Sequence, residues 1–225
     1  MVDTRITKER LKNHLQYDWW KYLLTFLALL IVWNTVYSVT EYHPPAEKRI
    51  DIQLVGYYSD EEPIEQLKQD LLAVLDDQQE EVQVFQTMMS FSDDSDSVDS
   101  NSIQKLQVQF AAKIGNVFVM PRKAYEMFAP QGAFVDMQPY LDDGTFALEE
   151  DPANLAIRMV ENNEDGVYEE VGEPILCALP LSQCKGLEKY LGYDPAMGEL
   201  VIAIPFYAQN MDNTIRTVQW FLAQE

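Results

Sequence analysis

The sequence contains few of the residues on which enzyme active sites and metal sites usually depend. Among 225 residues there are 2 histidines, 2 cysteines and 9 glycines. The histidines, His14 and His43, both precede the first predicted strand, so neither is placed to act as a base in a folded domain. The G-x-S-x-G, glycine-rich phosphate-loop, H-E-x-x-H and C-x-x-C motifs are all missing. The sequence therefore predicts a non-enzymatic protein without cofactor or metal, although a carboxylate-only site of the glycosidase type stays open.

The scarcity of cysteine excludes a disulfide-rich scaffold. Cys177 and Cys184 are close in sequence, and outside the cytoplasm they could form one disulfide if their Cα atoms lie within about 7 Å. The alternative places Cys177 in a buried strand and Cys184 as a thiol on the following helix. The spacing leaves both interpretations open.

Basic residues are also scarce, with 16 Lys and Arg against 37 Asp and Glu and a net charge of −21. Such a charge disfavours nucleic acid and anionic lipid surfaces as partners, because phosphate groups are repelled. One acidic segment is the aspartate-serine loop from Ser92 to Ser100. It fails the EF-hand template, which requires glycine at position 6 and glutamate at position 12, where counting from Asp94 gives Asp99 and Lys105. We expect a hydrated loop, with calcium binding at Asp93–Asp99 left open.

One long segment lacks charge altogether, from Tyr22 to Thr40. As a helix it would extend about 28 Å, close to the bilayer hydrocarbon thickness of about 30 Å. Aromatic residues at both ends are typical of membrane interfaces, and no small-x-small cleavage site follows, so we expect an uncleaved transmembrane anchor. Asn34 is the strongly polar side chain of this span. It could bond to a partner helix or reach headgroup water.

Charge around the span predicts its orientation. Residues before Tyr22 carry 5 basic and 3 acidic side chains, whereas 11 basic and 34 acidic residues follow from Glu41. Basic residues near a span stay cytoplasmic, so we expect a cell-membrane protein with its N-terminus inside and its C-terminal domain extracytoplasmic. The predicted organisation is a cytoplasmic arm (1–21), a transmembrane helix (22–40), a stalk (41–49) and an α/β domain (50–225).

Hydrophobic periodicity in the first half of this domain alternates between strand and helix. Further on, Asp151-Pro152 has the residues of a helix start and predicts a helix to Glu161, followed by a turn-rich stretch that could be a hairpin edge. Strands over 175–181 and 200–204, a helix that Ser182 caps and Gly192 ends, and a last helix capped by Asn210 complete the prediction. The expected fold is a mostly parallel sheet with helices on both faces. The alternating segments are strand 50–57, helix 63–75, strand 82–91, helix 101–113, strand 117–120 and helix 121–128.

The candidate binding residues follow from this topology. Ligands of open parallel sheets bind outside the carboxyl ends of the strands. The residues there could form a recognition surface for a small molecule, or they could be ordinary loop residues. They are Tyr57, Tyr58, Ser59, Ser90, Phe91, Ser92, Met120 and Arg122.

Several segments resemble bacterial extracellular solute-binding proteins of the sugar-binding type, which have the periplasmic-binding-protein-like II fold. The resemblance lies in Gln104–Met120, Tyr125–Ala129 and Gly132–Leu141, and more loosely in Ala178–Leu181 and Leu200–Ile204. It implies one receptor lobe that binds without catalysis.

The departures from that family are also informative. A domain of this length cannot hold two full lobes, and the segment where a second lobe would be inserted is reduced to residues 152–173. Asn116 stands where the family usually has aspartate, and these receptors are normally secreted or lipidated rather than held by an uncleaved helix. We therefore expect a membrane-anchored binding or accessory module that acts mainly through a membrane-protein partner. The alternative is a receptor for a small solute, a sugar or peptide, at the strand-end loops.

Overall fold

The computed structural model describes residues 8–42, 44–56, 58–75, 79–88, 100–162, 168–191 and 199–223. Two compact units divide the chain, residues 1–43 and residues 44–225. The first unit contains α1 (Lys8–Thr40), a helix of 33 residues that covers residues 8–21 of the predicted arm and the whole predicted span.

The apolar part of α1, Gln16–Thr40, is long and hydrophobic enough to cross a membrane, and none of its hydrophobic window is buried. Its threonines satisfy their hydroxyl groups locally: Thr25, Thr35 and Thr40 donate to the carbonyls four residues earlier at 2.7–2.9 Å. Such a helix fits a membrane anchor or a signal sequence.

The second unit is a mixed α/β domain, as predicted. Its strands are β1 (Arg49–Val55), β2 (Glu81–Thr87), β3 (Val117–Pro121), β4 (Ala156–Asn162), β5 (Tyr168–Leu176), β6 (Leu179–Pro180) and β7 (Leu200–Ala203). Its α-helices are α2 (Glu61–Leu72), α3 (Ser100–Ala111), α4 (Arg122–Phe128), α5 (Gln138–Asp142), α6 (Lys185–Leu191) and α7 (Met211–Leu222). Short 3₁₀ turns lie at Ala46–Lys48, Ala129–Gln131, Ala153–Leu155 and Leu181–Gln183.

The central sheet has the strand order β2-β1-β3-β7-β6. Strand β1 is parallel to both β2 and β3, which confirms the predicted parallel core. Strand β7 is antiparallel to β3 and to β6. The sheet is therefore mixed, with β7 as the strand that runs in the opposite direction.

Helices cover both faces of this sheet. Neighbouring residues of a strand point to opposite faces, and the last two residues of β2 show what lies on each. The Gln86 side chain bonds to the main chain of Ser59, whose hydroxyl donates to the α6 residue Tyr190. The Thr87 hydroxyl instead accepts a bond from Gln109 of α3 at 3.2 Å. Strand β1 is consequently buried along nearly its whole length.

An aromatic cluster fixes α3 on its face of the sheet. The Phe110 ring stacks on Phe118 of β3 with centroids 5.0 Å apart and also contacts Phe128 and Phe134. The turn before β3 requires Gly115, because a Cβ there would lie 2.8 Å from the Phe118 ring and φ is +107°. The sequence thus brings α3 and β3 together through a tight turn that another residue would obstruct.

The helix predicted over residues 152–161 is wrong. The Asp151 carboxylate accepts a bond from the Ala153 amide at 3.0 Å, but it caps only the 3₁₀ turn Ala153–Leu155. The chain then continues as β4, which pairs with β5 in an antiparallel hairpin. Pairing with β5 therefore prevails over the local helix signal.

The hairpin is bulged near its base. Ile157 pairs with Ile175 but Met159 pairs with Val171, so β5 has additional residues between these pairs, and Gly172 adopts φ +74° there. The turn-rich stretch predicted as a possible hairpin edge is in part β5.

Other boundaries shift by a few residues. Strand β2 ends at Thr87 rather than at Phe91, and α6 starts at Lys185 after a 3₁₀ turn rather than at Ser182. Asn210 does precede α7, but its side chain makes no cap and donates instead to the Glu47 carbonyl at 2.8 Å.

Both cysteines are free and buried, so the structure has no Cys177–Cys184 disulfide. Cys177 lies between β5 and β6, and the Cys184 thiol donates to the Pro180 carbonyl. Burial raises the pKa of each thiol to about 12.

Asn116 connects three segments at the amino-end edge of the sheet. Its carboxamide oxygen accepts a bond from the Asp51 amide at 2.9 Å, and its nitrogen donates to the Gln209 carbonyl at 2.6 Å. Asn116 is only 5% exposed, so both partners depend on it rather than on water.

Replacing Asn116 by alanine should destabilise the domain formed by residues 44–225 by about 2–4 kcal/mol, because a buried amide and a buried carbonyl lose their partner. Urea unfolding followed by Trp220 fluorescence measures the change. The exposed Asn154 provides the control, and its alanine variant should lie within about 0.5 kcal/mol of the wild type. Equal stabilities of the two variants would contradict this account of Asn116.

Both thiols should stay unreactive toward a soluble thiol reagent between pH 7 and about pH 10, since each pKa lies near 12. Under urea both should react fully. Mass spectrometry of non-reduced protein should give the mass with two free thiols. A mass lower by two hydrogens would show a disulfide and contradict the structure.

Candidate binding edge of the central sheet

The carboxyl ends of β1, β2 and β3 lie at one edge of the sheet because these strands are parallel. Strand β7 is antiparallel and starts at this same edge, which brings Glu199 there. We call this side of the domain the strand-end edge. It is where the sequence analysis placed the candidate binding residues.

After β1, the chain presents one residue to solvent and anchors the next. Tyr58 is 60% exposed, whereas Ser59 is buried. The Ser59 amide donates to Gln86 Oε1 at 2.9 Å, and Gln86 Nε2 donates back to the Ser59 carbonyl at 3.2 Å. The Ser59 hydroxyl donates to the Tyr190 carbonyl at 2.8 Å. Ser59 therefore holds the loop in place, and Tyr58 remains available for contact.

Tyr190 joins α6 to two other helices beneath this loop. Its hydroxyl donates to the Asp70 carboxylate of α2, and its ring stacks on Trp220 of α7 with centroids 6.0 Å apart. Lys189 Nζ lies 4.5 Å from the ring centroid. Burial, and next the bond to Asp70, raise the pKa of Tyr190. The phenol is thus a neutral hydrogen-bond donor at physiological pH.

Arg122, directly after β3, is committed to neighbouring protein groups. Its guanidinium lies 2.7 Å from Glu126 and 2.8 Å from Glu199, and it donates to the Asn154 carbonyl at 2.7 Å. The hydrogen bonds to Glu199 and then to Glu126 raise its pKa. Arg122 therefore connects β3, β7 and the start of the hairpin. Met120, two residues earlier and within β3, is fully buried in the core.

The other predicted residues cannot be placed. Tyr57, Ser90, Phe91 and Ser92 lie outside the described residues, as does the aspartate loop at Asp93–Asp99. Of the candidate set that is described, Tyr58 alone combines solvent exposure with the absence of a side-chain role in the fold.

An open groove lies between the end of β2 and α3, with a volume of about 660 Å³. Val108, on its wall, is 65% exposed. Gln109 donates to Thr87 at 3.2 Å, while its Oε1 atom is buried and receives no hydrogen bond within the described part of the chain. The lining residues are Thr87, Asn101, Gln104, Lys105, Val108 and Gln109.

The sequence pattern does not reveal this groove. Helix α3 is recognisable from its buried positions, whereas the residues that line the groove belong to the opposite, polar face of that helix. Val108, an apolar residue on a polar helix face, was the available signal.

The chemistry of this edge suits non-covalent contact. Carboxamides and hydroxyls donate and accept hydrogen bonds, Lys105 supplies one cation, and Tyr58 and Val108 supply apolar surface. Among the residues that the structure describes, no group of three His, Cys, Asp or Glu side chains could hold a metal ion.

Comparisons with known proteins do not assign the chain to a family. No protein-family model and no curated protein matches the chain. One similar solved structure is an ABC substrate-binding protein from Listeria monocytogenes in complex with cycloalternan, at 14% identity and a TM-score of 0.33. The match covers 59% of this chain and 28% of that protein. A similarity of this level does not place the chain in a family.

Replacing Tyr190 by phenylalanine should lower the free energy of unfolding of residues 44–225 by about 1–2 kcal/mol, since Asp70 loses a buried donor. The raised pKa means that the tyrosine hydroxyl stays protonated in the folded state, so the difference should be constant from pH 6 to 9. It should shrink only as pH rises past about 10, the pKa of an unfolded tyrosine.

Urea titrations at pH 6, 8 and 9 make the test, with Tyr58→Phe as the control at the exposed position. A Tyr190→Phe variant as stable as Tyr58→Phe would show that the Asp70 bond contributes nothing.

Proposed function

We propose that this protein is a single-pass membrane protein whose extracytoplasmic α/β domain binds a membrane-protein partner through the strand-end edge and performs no catalysis. The observation that carries the proposal is the exposed apolar helix Gln16–Thr40. Leaving this many large apolar side chains in water would cost about 25 cal/mol for each Å² of apolar surface, and a bilayer removes that cost.

Charge distribution supports the orientation. The residues before the span are net basic, and the 11 basic and 34 acidic residues from Glu41 onward make the remainder strongly acidic. Retention of basic flanks on the cytoplasmic side places the N-terminus inside. The domain then lies outside the membrane. Its acidic surface repels anionic headgroups and favours a partner with a basic surface.

The short connection between helix and domain supports a partner in the same membrane. Residues 41–48 can extend at most about 3.6 Å each, so the start of β1 stays within about 30 Å of the end of α1. A receptor that collects solute from the medium gains nothing from this restriction, whereas a module that works beside another membrane protein does.

The strand-end edge offers the contact surface. Tyr58 is exposed and has no hydrogen bond among the described residues, and Val108 and Lys105 border the open groove next to α3. Tyrosine and apolar residues surrounded by amides are typical of interface centres.

A photoreactive amino acid at Tyr58 or Val108 should therefore form a covalent adduct of one discrete mass in native membranes. Glu47, exposed at the opposite edge, is the control position and should form none. Adducts at all three positions, or at none, would contradict a partner site at the strand-end edge. Mass spectrometry of the adduct would identify the partner.

The alternative function is a receptor for a small solute, a sugar or peptide. The groove volume of about 660 Å³ and its amide-rich wall favour it. A thermal-shift screen of residues 44–225 against sugars and short peptides distinguishes the two functions. Saturable stabilisation by one solute, abolished by Gln104→Ala but retained in Glu47→Ala, would support the receptor and count against the partner proposal.

A further inference from the structure

The carboxamide of Asn34 is the unusual group in α1. The threonines of the span bond to carbonyls of their own helix, whereas Asn34 is exposed and, within the described residues, makes no such bond. A carboxamide left unpaired in hydrocarbon is costly, because no water is present to replace a missing partner.

The position of Asn34 disfavours contact with water at the membrane surface. It lies six residues before Thr40, the last residue of the uncharged span, which is about 9 Å along the helix axis. The asparagine side chain is short, unlike the long side chains of lysine and arginine, which reach the interface from deeper positions. A partner helix within the bilayer would satisfy the carboxamide.

The residues around Asn34 form a seam suited to helix packing. Leu23, Leu27 and Leu30 precede it at spacings of four, three and four residues, and each has 46–47% of its surface exposed. At 100° per residue these leucines lie within about 40° of Asn34 around the helix. This is the a/d pattern of a left-handed helix pair, in which one asparagine at a core position fixes the register.

We propose that α1 pairs with α1 of a second copy of this chain through the Leu23, Leu27, Leu30 and Asn34 seam, with the two Asn34 carboxamides bonded to each other. The inference rests on the proposed membrane span. A second copy is the occupant because a carboxamide is both donor and acceptor, so two identical groups satisfy each other across a two-fold axis. The leucine seam is likewise self-complementary.

The test uses the full chain, labelled at its N-terminus with donor or acceptor fluorophore and reconstituted in phosphatidylcholine vesicles. Energy transfer should increase with the protein-to-lipid ratio and should reach a plateau, as expected for a dimer. Asn34→Leu should weaken association about 3- to 20-fold, the range that corresponds to interhelical hydrogen bonds in membranes. Thr35→Leu is the matched control, since it removes a neighbouring polar group that is satisfied within its own helix, and it should associate like the wild type.

Cysteine cross-linking gives a second readout. Leu30→Cys should form a disulfide-linked dimer in membranes, and Val32→Cys, about 160° away from Asn34 around the helix, should not. The native cysteines are buried in the domain and do not interfere.

The outcomes separate this inference from the proposed function. A chain that is retained in carbonate-washed vesicles but stays monomeric overturns self-association and leaves the span intact. A chain that carbonate extracts overturns both. Equal association of Asn34→Leu and Thr35→Leu overturns the role of Asn34, and an Asn34-dependent complex with a different membrane protein, without dimer, overturns the choice of a second copy.

Discussion

Burial of β1 on both faces is the constraint on which the domain depends. A strand that is buried on both sides needs a helix layer above and below, and parallel neighbours require connections long enough to contain those helices. The chain meets both needs, with α2 between β1 and β2 and α3 between β2 and β3. The same arrangement brings three strand ends to one edge, so the candidate binding surface is a consequence of how β1 is covered.

Buried hydrogen bonds hold together the loops at both edges of the sheet. At one edge Asn116 satisfies main-chain groups of Asp51 and Gln209, and at the other Ser59 links Gln86 to Tyr190. Both sets of bonds close loops that join distant parts of the chain. The strand-end edge is thereby a rigid support, with Tyr58 and the groove beside α3 as its open features.

Much of the fold could be predicted because its signals are local. Helical and strand periodicity locate the elements from β1 to α4, and the absence of charge locates the apolar part of α1. The signal at Asp151-Pro152 misled because an aspartate caps a single 3₁₀ turn as readily as a helix, and the strand that follows depends on its partner β5. The direction of β7 has no local signal at all.

The candidate site was less predictable, since burial of a side chain depends on contacts far away in sequence. The Ser59 hydroxyl donates a hydrogen bond to Tyr190, which lies 131 residues later in the sequence. The Arg122 guanidinium donates one to Glu199, 77 residues later. The sequence places both at strand ends but cannot show that folding already uses them. Tyr58 shares that location and stays exposed, so among the candidates that the structure describes it is the one on which a binding function can still depend.

Membrane attachment is the claim that gives these features their meaning, because an edge held close to a bilayer meets different partners from one that diffuses freely. Protease added to intact cells that carry the full chain, with separate epitope tags at the two termini, tests it most directly. The account predicts that the C-terminal tag is lost while the N-terminal tag stays in a short membrane-bound fragment. Loss of the N-terminal tag with protection of the C-terminal one, or release of the intact chain into the medium, would contradict it.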